Sequence, residues 1–407
     1  MIFQRPSTVK KSFAPRLPNY NSSMKSRPRV ALLIETSNAY ARDLLQGVRS
    51  YLSEHQSWSI YLGEYGRGEI LPAWLRGWRG DGIIARVENQ HIADELLRVG
   101  VPVVDVSVGL QRSPFPRVAT DNQAVSRLAA EHLMERGLRH FGYCGAAQYH
   151  WSVLRSCFFS DHIRQAGFEC SIFDGAASAK KPDSWEQEID KITAWLNKLP
   201  KPVGVLACYD IRGQQVLEAC RRGDLQVPDE VAVIGIHNDE LLCDLCDPPL
   251  TSVIPNARRA GYESAALLAR MMAGEKFSRQ VVLLDPVGIA IRQSTDVVAL
   301  DDPRISQAMR YIREHACERI TVEDILRAIP MSRTVFERRF KQVLNCTPHE
   351  HILRARINHV KTLLTTTDLT LAVIAERTGF EHSEYLSVAF KRAAGVSPGV
   401  FRKRSRV

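Results

Sequence analysis

The chain has no run of about eighteen consecutive apolar residues, so it offers no transmembrane helix. Its first 29 residues contain no acidic side chain and no apolar segment of the secretory kind, so export is not supported. The nine cysteines are odd in number and scattered without disulfide-like spacing. Such usage points to reduced thiols in a cytoplasm. Cys243 and Cys246 form a single C-x-x-C followed by Pro248-Pro249, with no second pair to complete a metal site. Small buried or surface thiols are expected there. There is no phosphate-cradling glycine loop, no HExxH and no nucleophile elbow. Adjacent carboxylates such as Asp239 and Glu240 have no evident shared pocket. These absences exclude a membrane protein, a disulfide scaffold and the motif-borne enzyme classes. No catalytic residue, metal or cofactor is expected.

What is present is a 407-residue chain with 45% apolar and 24% charged residues, ordinary for a globular protein and long enough for two or three domains. The formal net charge of +9 is unevenly spread. Residues 1–29 hold seven Lys/Arg and no acid, and residues 301–407 hold nineteen Lys/Arg against twelve Asp/Glu, which leaves residues 30–300 at −5. A basic end module on an acidic body suits a nucleic-acid partner at that end. Residues 1–29, with their Pro and Ser, read as a disordered basic arm. Met24 lies just before the first strand and offers a later start.

From residue 30 the pattern alternates. Apolar runs at 30–35, 59–63, 81–86, 101–107, 118–120, 140–145, 169–173, 203–208, 231–237 and 280–284 read as strands. Helical spacing fills 39–53, 71–79, 92–99, 122–136, 152–166, 184–198, 211–221 and 256–273. Apolar strands separated by helices predict parallel sheets covered on both faces. The strands are too many for one ordinary sheet, so two doubly wound lobes are expected.

The C-terminal stretch changes character. Val322, Ile325, Leu326 and Ile329 recur at helical spacing, then Pro330 stops the helix, and a second helix spans 332–341. About fifty residues later the pattern repeats: Val373 and Ile374, a turn at Gly379, and a helix over 383–392. Both second helices end on Phe-Lys, at Phe340-Lys341 and Phe390-Lys391, and Ser332 and Ser383 are candidate N-caps. These are two helix–turn–helix signals, whose second helices suit the major groove. Phe336, Phe340, Leu386 and Phe390 fall on the opposite stripe and read as core.

This region resembles the AraC-type DNA-binding domain over about residues 302–403. The resemblance is most specific in the second unit and its tail (ERTGFEHSEYLSVAFKRAAGVSPGVFRK, residues 376–403). It is looser in the first, where Ile329-Pro330 replaces the usual small residue and Gly. It implies DNA contacts from Arg333, Thr334, Glu337 and Arg338, and from His382, Ser383, Glu384 and Tyr385. Arg333 and Arg338 have the forked donors that read guanine or hold phosphate. One chain would then address two successive major-groove segments, about 34 Å apart. The basic run 402–406 is read as either a phosphate contact or a solvated tail.

The body resembles the ligand-binding domain of LacI/GalR-type repressors, itself similar to periplasmic sugar-binding proteins. The carriers are VATDNQ at 118–123, HLMERGLRHFGYCGA at 132–146, VPDEVAVIGIHNDEL at 227–241 and LTSVIPNARRAGYESAALLA at 250–269. The implied fold class is α/β: a two-lobed, periplasmic-binding-protein-like domain of doubly wound parallel sheets over 30–298, then an all-α domain over 299–407. In such sheets ligands meet the carboxyl ends of strands. Asn38, Tyr40, Arg42, Asp121, Arg155, Asp210, His237 and Asn238 stand there, and Tyr40, Trp151 or Phe158 offers a flat apolar face for a sugar ring. Asn38 and Asp121 serve equally well as helix caps. His237 stands where the LacI-type block usually has Asp. The combined resemblance implies a cytoplasmic DNA-binding regulator, an activator, controlled by D-xylose or another pentose. Its implied partners are double-stranded DNA, a second copy and RNA polymerase. The alternatives are a repressor responding to a different sugar, or a sugar-binding protein.

Overall fold

The computed structural model describes residues 27–55, 57–64, 72–175, 184–277, 281–296, 302–344, 346–367 and 369–405. The first lobe contains β1 (Arg29–Leu33), α1 (Ala39–Glu54), β2 (Ser59–Leu62), β3 (Gly82–Ala85), α2 (Gln90–Val99), β4 (Val103–Asp105) and β5 (Arg117–Thr120). The second contains α3 (Asn122–Glu135), β6 (His140–Ala146), α4 (His150–Gln165), β7 (Cys170–Gly175), α5 (Trp185–Lys198), β8 (Val203–Ala207), α6 (Asp210–Arg222), β9 (Val231–Ile236), α7 (Glu240–Leu245) and β10 (Thr251–Ile254). The chain then returns to the first lobe through α8 (Ala257–Met272) and β11 (Val281–Leu284), and crosses back at β12 (Gly288–Ala290).

The two sheets run β11-β5-β4-β3-β1-β2 and β12-β10-β9-β8-β6-β7. All pairings are parallel except β10 with β12, which is antiparallel. The expected pair of doubly wound lobes is therefore what forms. The apolar runs become strands because both faces are buried; every residue of β3, β8 and β9 is. Three short elements, α7, β10 and β12, were not expected, and residues 73–77 form a 3-10 turn where a longer helix was. Most of the arm lies outside the described residues, but Arg29, counted in it, is the first residue of β1.

Helices α1 and α8 touch backbone to backbone. A Cβ on Gly47 would lie 1.9 Å from the Arg258 carbonyl oxygen, and one on Gly261 would lie 1.9 Å from that of Leu44. The chain crosses between lobes three times, and the crossings are stitched together. The Asp121 amide donates to the Leu284 carbonyl at 2.9 Å, and the Val287 amide to that of Ile254 at 2.8 Å. This narrow joint leaves a cleft between the carboxyl ends of the two sets of strands.

The C-terminal helices are α9 (Pro303–His315), α10 (Val322–Ala328), α11 (Arg333–Leu344), α12 (Pro348–Thr366), α13 (Leu371–Arg377), α14 (Ser383–Ala394) and α15 (Pro398–Ser405). Two apolar cores hold them. Phe336 and Phe340 of α11 pack with Ile305, Ile312 and Ile325; Leu386 and Phe390 of α14 pack with Val360, Ile374 and Phe380. Gly379 turns the second unit at φ +75°, a conformation that Gly adopts without steric cost. Ser383 is the first helical residue of α14, and the cap position falls to His382, which makes no side-chain cap bond. Among the described residues, no helix is long and apolar enough to cross a membrane, and no cluster of His, Cys, Asp and Glu could hold a metal ion.

Candidate functional site

Strand ends set the cleft. Glu35 follows β1, Arg86 follows β3 and Ser107 follows β4, while His237 follows β9 from the other lobe. The interlobe space is lined by Tyr40, Arg86, Ser107, Thr120, Asn122, Trp151, Arg155 and His237, among others. Tyr40 of the first lobe faces His237 of the second, with ring centres 5.1 Å apart. The Tyr40 hydroxyl lies 3.1 Å from the Thr120 hydroxyl. His237 takes φ +113°, rare for a residue with a side chain, where it leaves β9.

Arg155 is 4% exposed. Its Nε donates to Asn122 Oδ1 at 2.8 Å and its Nη1 to the Cys208 carbonyl at 2.6 Å. The guanidinium lies 5.0 Å from the centre of the Trp151 ring. Across the cleft Arg86 is ion-paired with Glu35 and, at 2.7 Å, with Glu88. Burial opposes the Arg86 charge, but Glu88 and Glu35 outweigh it and hold its pKa above the ordinary arginine value. Its buried Nε has no hydrogen-bond partner among the described residues. Planar donors on opposite lobes, an aromatic wall and hydroxyls between them suit a small polyhydroxylated molecule.

Of the eight residues expected at the ligand, the structure brings Tyr40, Arg155 and His237 to this space. Asn38 and Asp121 act as helix caps, Asn38 accepting from the Ala41 amide at 2.9 Å and Asp121 from the Gln123 amide at 2.8 Å. Arg42 stands in an adjoining outer groove, 3.8 Å from Asp239 across the lobes. Asn238 lines the same groove and accepts from Arg292 at 2.9 Å. Asp210 turns away from the cleft. It accepts from Ser252 Oγ at 2.6 Å and from the Asp239 amide at 2.8 Å, holding the loop that carries His237 and Asn238. Burial pushes its carboxyl up to about 7, and those two bonds only partly oppose the shift. Arg86, Ser107, Thr120 and Asn122 were not singled out from sequence. The strand-end rule, extended to β3 and β4, reaches the first two. Cys243 and Cys246 are buried, Cys243 at 0% exposure.

The second candidate surface lies between the helix–turn–helix units. Arg333, Thr334, Glu337 and Arg338 of the first unit and Tyr385 of the second line one groove, with Lys341 added from α11. Thr334, Arg338, His382 and Glu384 are exposed, and Ser383 is half-buried. Arg333 is held by Glu323 and, at 2.9 Å, by Glu337. Arg338 makes no hydrogen bond or ion pair among the described residues. Arg356, also in the groove, spends its guanidinium on the Ala316 and Ile320 carbonyls and ties α12 to the turn before α10. At the tail Arg402 donates to the Leu369 carbonyl at 2.6 Å, so it packs within the domain.

Three family models match: the XylR N-terminal domain over residues 29–123, a periplasmic binding protein-like domain over 130–295 and a helix-turn-helix domain over 325–404. The chain is 34% identical over 384 residues to the xylose operon regulatory protein of Escherichia coli (strain K12), covering 92% of this chain and 97% of that one. The protein of the same description from Haemophilus influenzae is 32% identical over 385 residues, covering 92% and 98%. The solved structure of the xylose-binding transcription activator xylR superposes with a TM-score of 0.77 at 32% identity, over 94% of this chain and all of that one. The chain therefore belongs to the family of xylose operon regulatory proteins, transcription regulators that join a periplasmic-binding-protein-like domain to an AraC-type helix–turn–helix domain.

Proposed function

We propose that this chain is a sugar-responsive, sequence-specific transcription activator. The two lobes close on a pentose, D-xylose first among them, and closure changes how the C-terminal module sits on DNA. The observation that carries the reading is the pairing, in one chain, of an interlobe cleft spanned by the Tyr40–His237 contact with two helix–turn–helix units. The choice of D-xylose rests on what the relatives are named for. Tyr40, Arg155 and His237, joined by Arg86 and Asn122, are the proposed sugar contacts. The proposed DNA contacts are Arg333, Thr334, Glu337 and Arg338 with His382, Ser383, Glu384 and Tyr385.

In this reading residues 1–29 are an arm, 30–298 the ligand domain and 299–407 the DNA-binding domain. The chain works in the cytoplasm, binds its ligand without transforming it, acts as a dimer on repeated sites and recruits RNA polymerase. Ligand control requires a differential affinity between open and closed forms, ordinarily about 1–3 kcal/mol.

The test is fluorescence anisotropy of the purified chain on its own upstream DNA, with and without a panel of pentoses. Sugar-dependent tightening, or a changed footprint, supports the whole reading. Tight binding that ignores every pentose keeps the DNA half and rejects the choice of effector. Absence of specific binding rejects the DNA half.

A further inference from the structure

The apolar cores of the lobes and of the helical module are separate; among the described residues no cluster draws side chains from both. Charged groups cross between them. Arg313 of α9 forks onto Asp229 of the second lobe, Nη1 donating to Oδ2 at 2.9 Å and Nη2 to Oδ1 at 3.2 Å. Arg310, three residues earlier on the same helix, pairs with Asp229 at 3.6 Å. Arg313 Nη2 also donates to the Asp296 carbonyl at 3.3 Å. The Asp229 side chain is 12% exposed and that of Arg313 21%, so the fork is largely shielded from water and salt. Two parallel charge-assisted bonds fix direction as well as distance, which a single lysine contact would not do.

Each side of the fork leads to a functional surface. Asp229 stands in the turn that feeds β9, and β9 leads directly into His237 in the cleft. All six residues of β9 are buried, so roughly 20 Å of rigid strand joins fork to cleft. On the other side, α9 shares its core with the first recognition helix through Ile305, Ala308, Ile312, Phe336 and Phe340. Asp302, the N-cap of α9, accepts from Arg339 of α11 at 2.7 Å. Helix α9 is thus a strut, gripped by the second lobe on one side and built into the first helix–turn–helix unit on the other.

We propose that Asp229 is the positioning residue through which the ligand domain directs the DNA-binding module. It touches neither ligand nor DNA. It makes the first helix–turn–helix unit travel with the second lobe, so that lobe closure reorients α11. The coupling part of this proposal rests on the function proposed above; the positioning part does not.

The test uses the full chain with Asp229→Asn, which keeps the shape and removes the charge, and with the exchange Asp229→Arg plus Arg313→Asp. Small-angle X-ray scattering without ligand reads the positioning. Asp229→Asn is expected to broaden the pair-distance distribution, and the exchange to restore the wild-type curve. A variant that scatters like wild type overturns the proposal. Unchanged calorimetric unfolding of the ligand domain rules out simple misfolding. Operator binding with and without D-xylose reads the coupling. Where wild type responds, Asp229→Asn should bind D-xylose with unchanged affinity, while the ratio of operator Kd values, of the order of 5–150-fold for such couplings, falls toward one. An undiminished ratio overturns the proposal. A wild type that ignores D-xylose rejects the choice of effector, and the scattering result then decides the role of Asp229.

Discussion

Replacing Arg86 with Met should damage the ligand domain more than any surface change. The Arg86 side chain is 8% exposed, and its partners Glu35 and Glu88 are 9% and 20% exposed. Met fills much of the aliphatic volume but leaves two carboxylates with no cation between them. Breaking a buried pair from one side costs about 3–5 kcal/mol, chiefly because the charge left behind is uncompensated. At about 2–4 °C per kcal/mol for a domain of this size, the ligand-domain transition should fall by ~6–20 °C. The guanidinium also lies 5.6 Å from the centre of the Tyr40 ring, so the cleft wall loosens with it. Differential scanning calorimetry of the full chain at pH 7 is the assay. Adding Glu35→Gln and Glu88→Gln should recover part of the loss at pH 7. A shift of less than about 2 °C would refute the view of Arg86 as the counter-charge that permits Glu35 and Glu88 in the cleft wall.

Arg338→Ala should weaken operator binding by about 1–3 kcal/mol in anisotropy titrations, with relaxed preference at one base pair; a uniform loss on all sequences would make Arg338 a phosphate contact. Asp210 titrates near 7 when folded against ~3.9 unfolded, so between these values the folded chain holds a proton that the unfolded chain has released. Its contribution therefore makes stability fall as pH rises from about 4 to about 7, and melting curves of Asp210→Asn should lack that component. Parallel pH profiles for the variant and wild type would refute it.

Much of this molecule was legible before folding. The alternation of apolar runs and amphipathic stretches is a local property, and it located all but three of the strands and helices of the lobes. Of the exceptions, α7 with six residues and β12 with three are too short to show a period, and β10 opens on Thr251-Ser252 and so shows no apolar run. The buried stripe of Phe336, Phe340, Leu386 and Phe390 follows from helical spacing in the same way.

The cleft was less legible because its members come from separate strands. Asn38 and Asp121 stand at strand ends, yet the first turn of the next helix claims both. Asp210 stands at another, but it lies over Gly235, where a Cβ would come within 2.4 Å of its Oδ1, and it serves the loop behind the cleft. Arg86 looked like the last residue of a strand until Glu35 and Glu88 closed around it.

Periodicity, turn residues and motif spacing thus determined the elements, the order of the two modules and the tandem DNA-binding helices, because each depends on neighbours within a few residues. Which polar groups face the cleft, which are spent as caps, and that Asp229 meets Arg313 across 84 positions of chain, were decided by packing. The reason is physical: hydrogen bonds and ion pairs are satisfied by whatever the fold brings within about 3 Å, and sequence separation does not enter that condition.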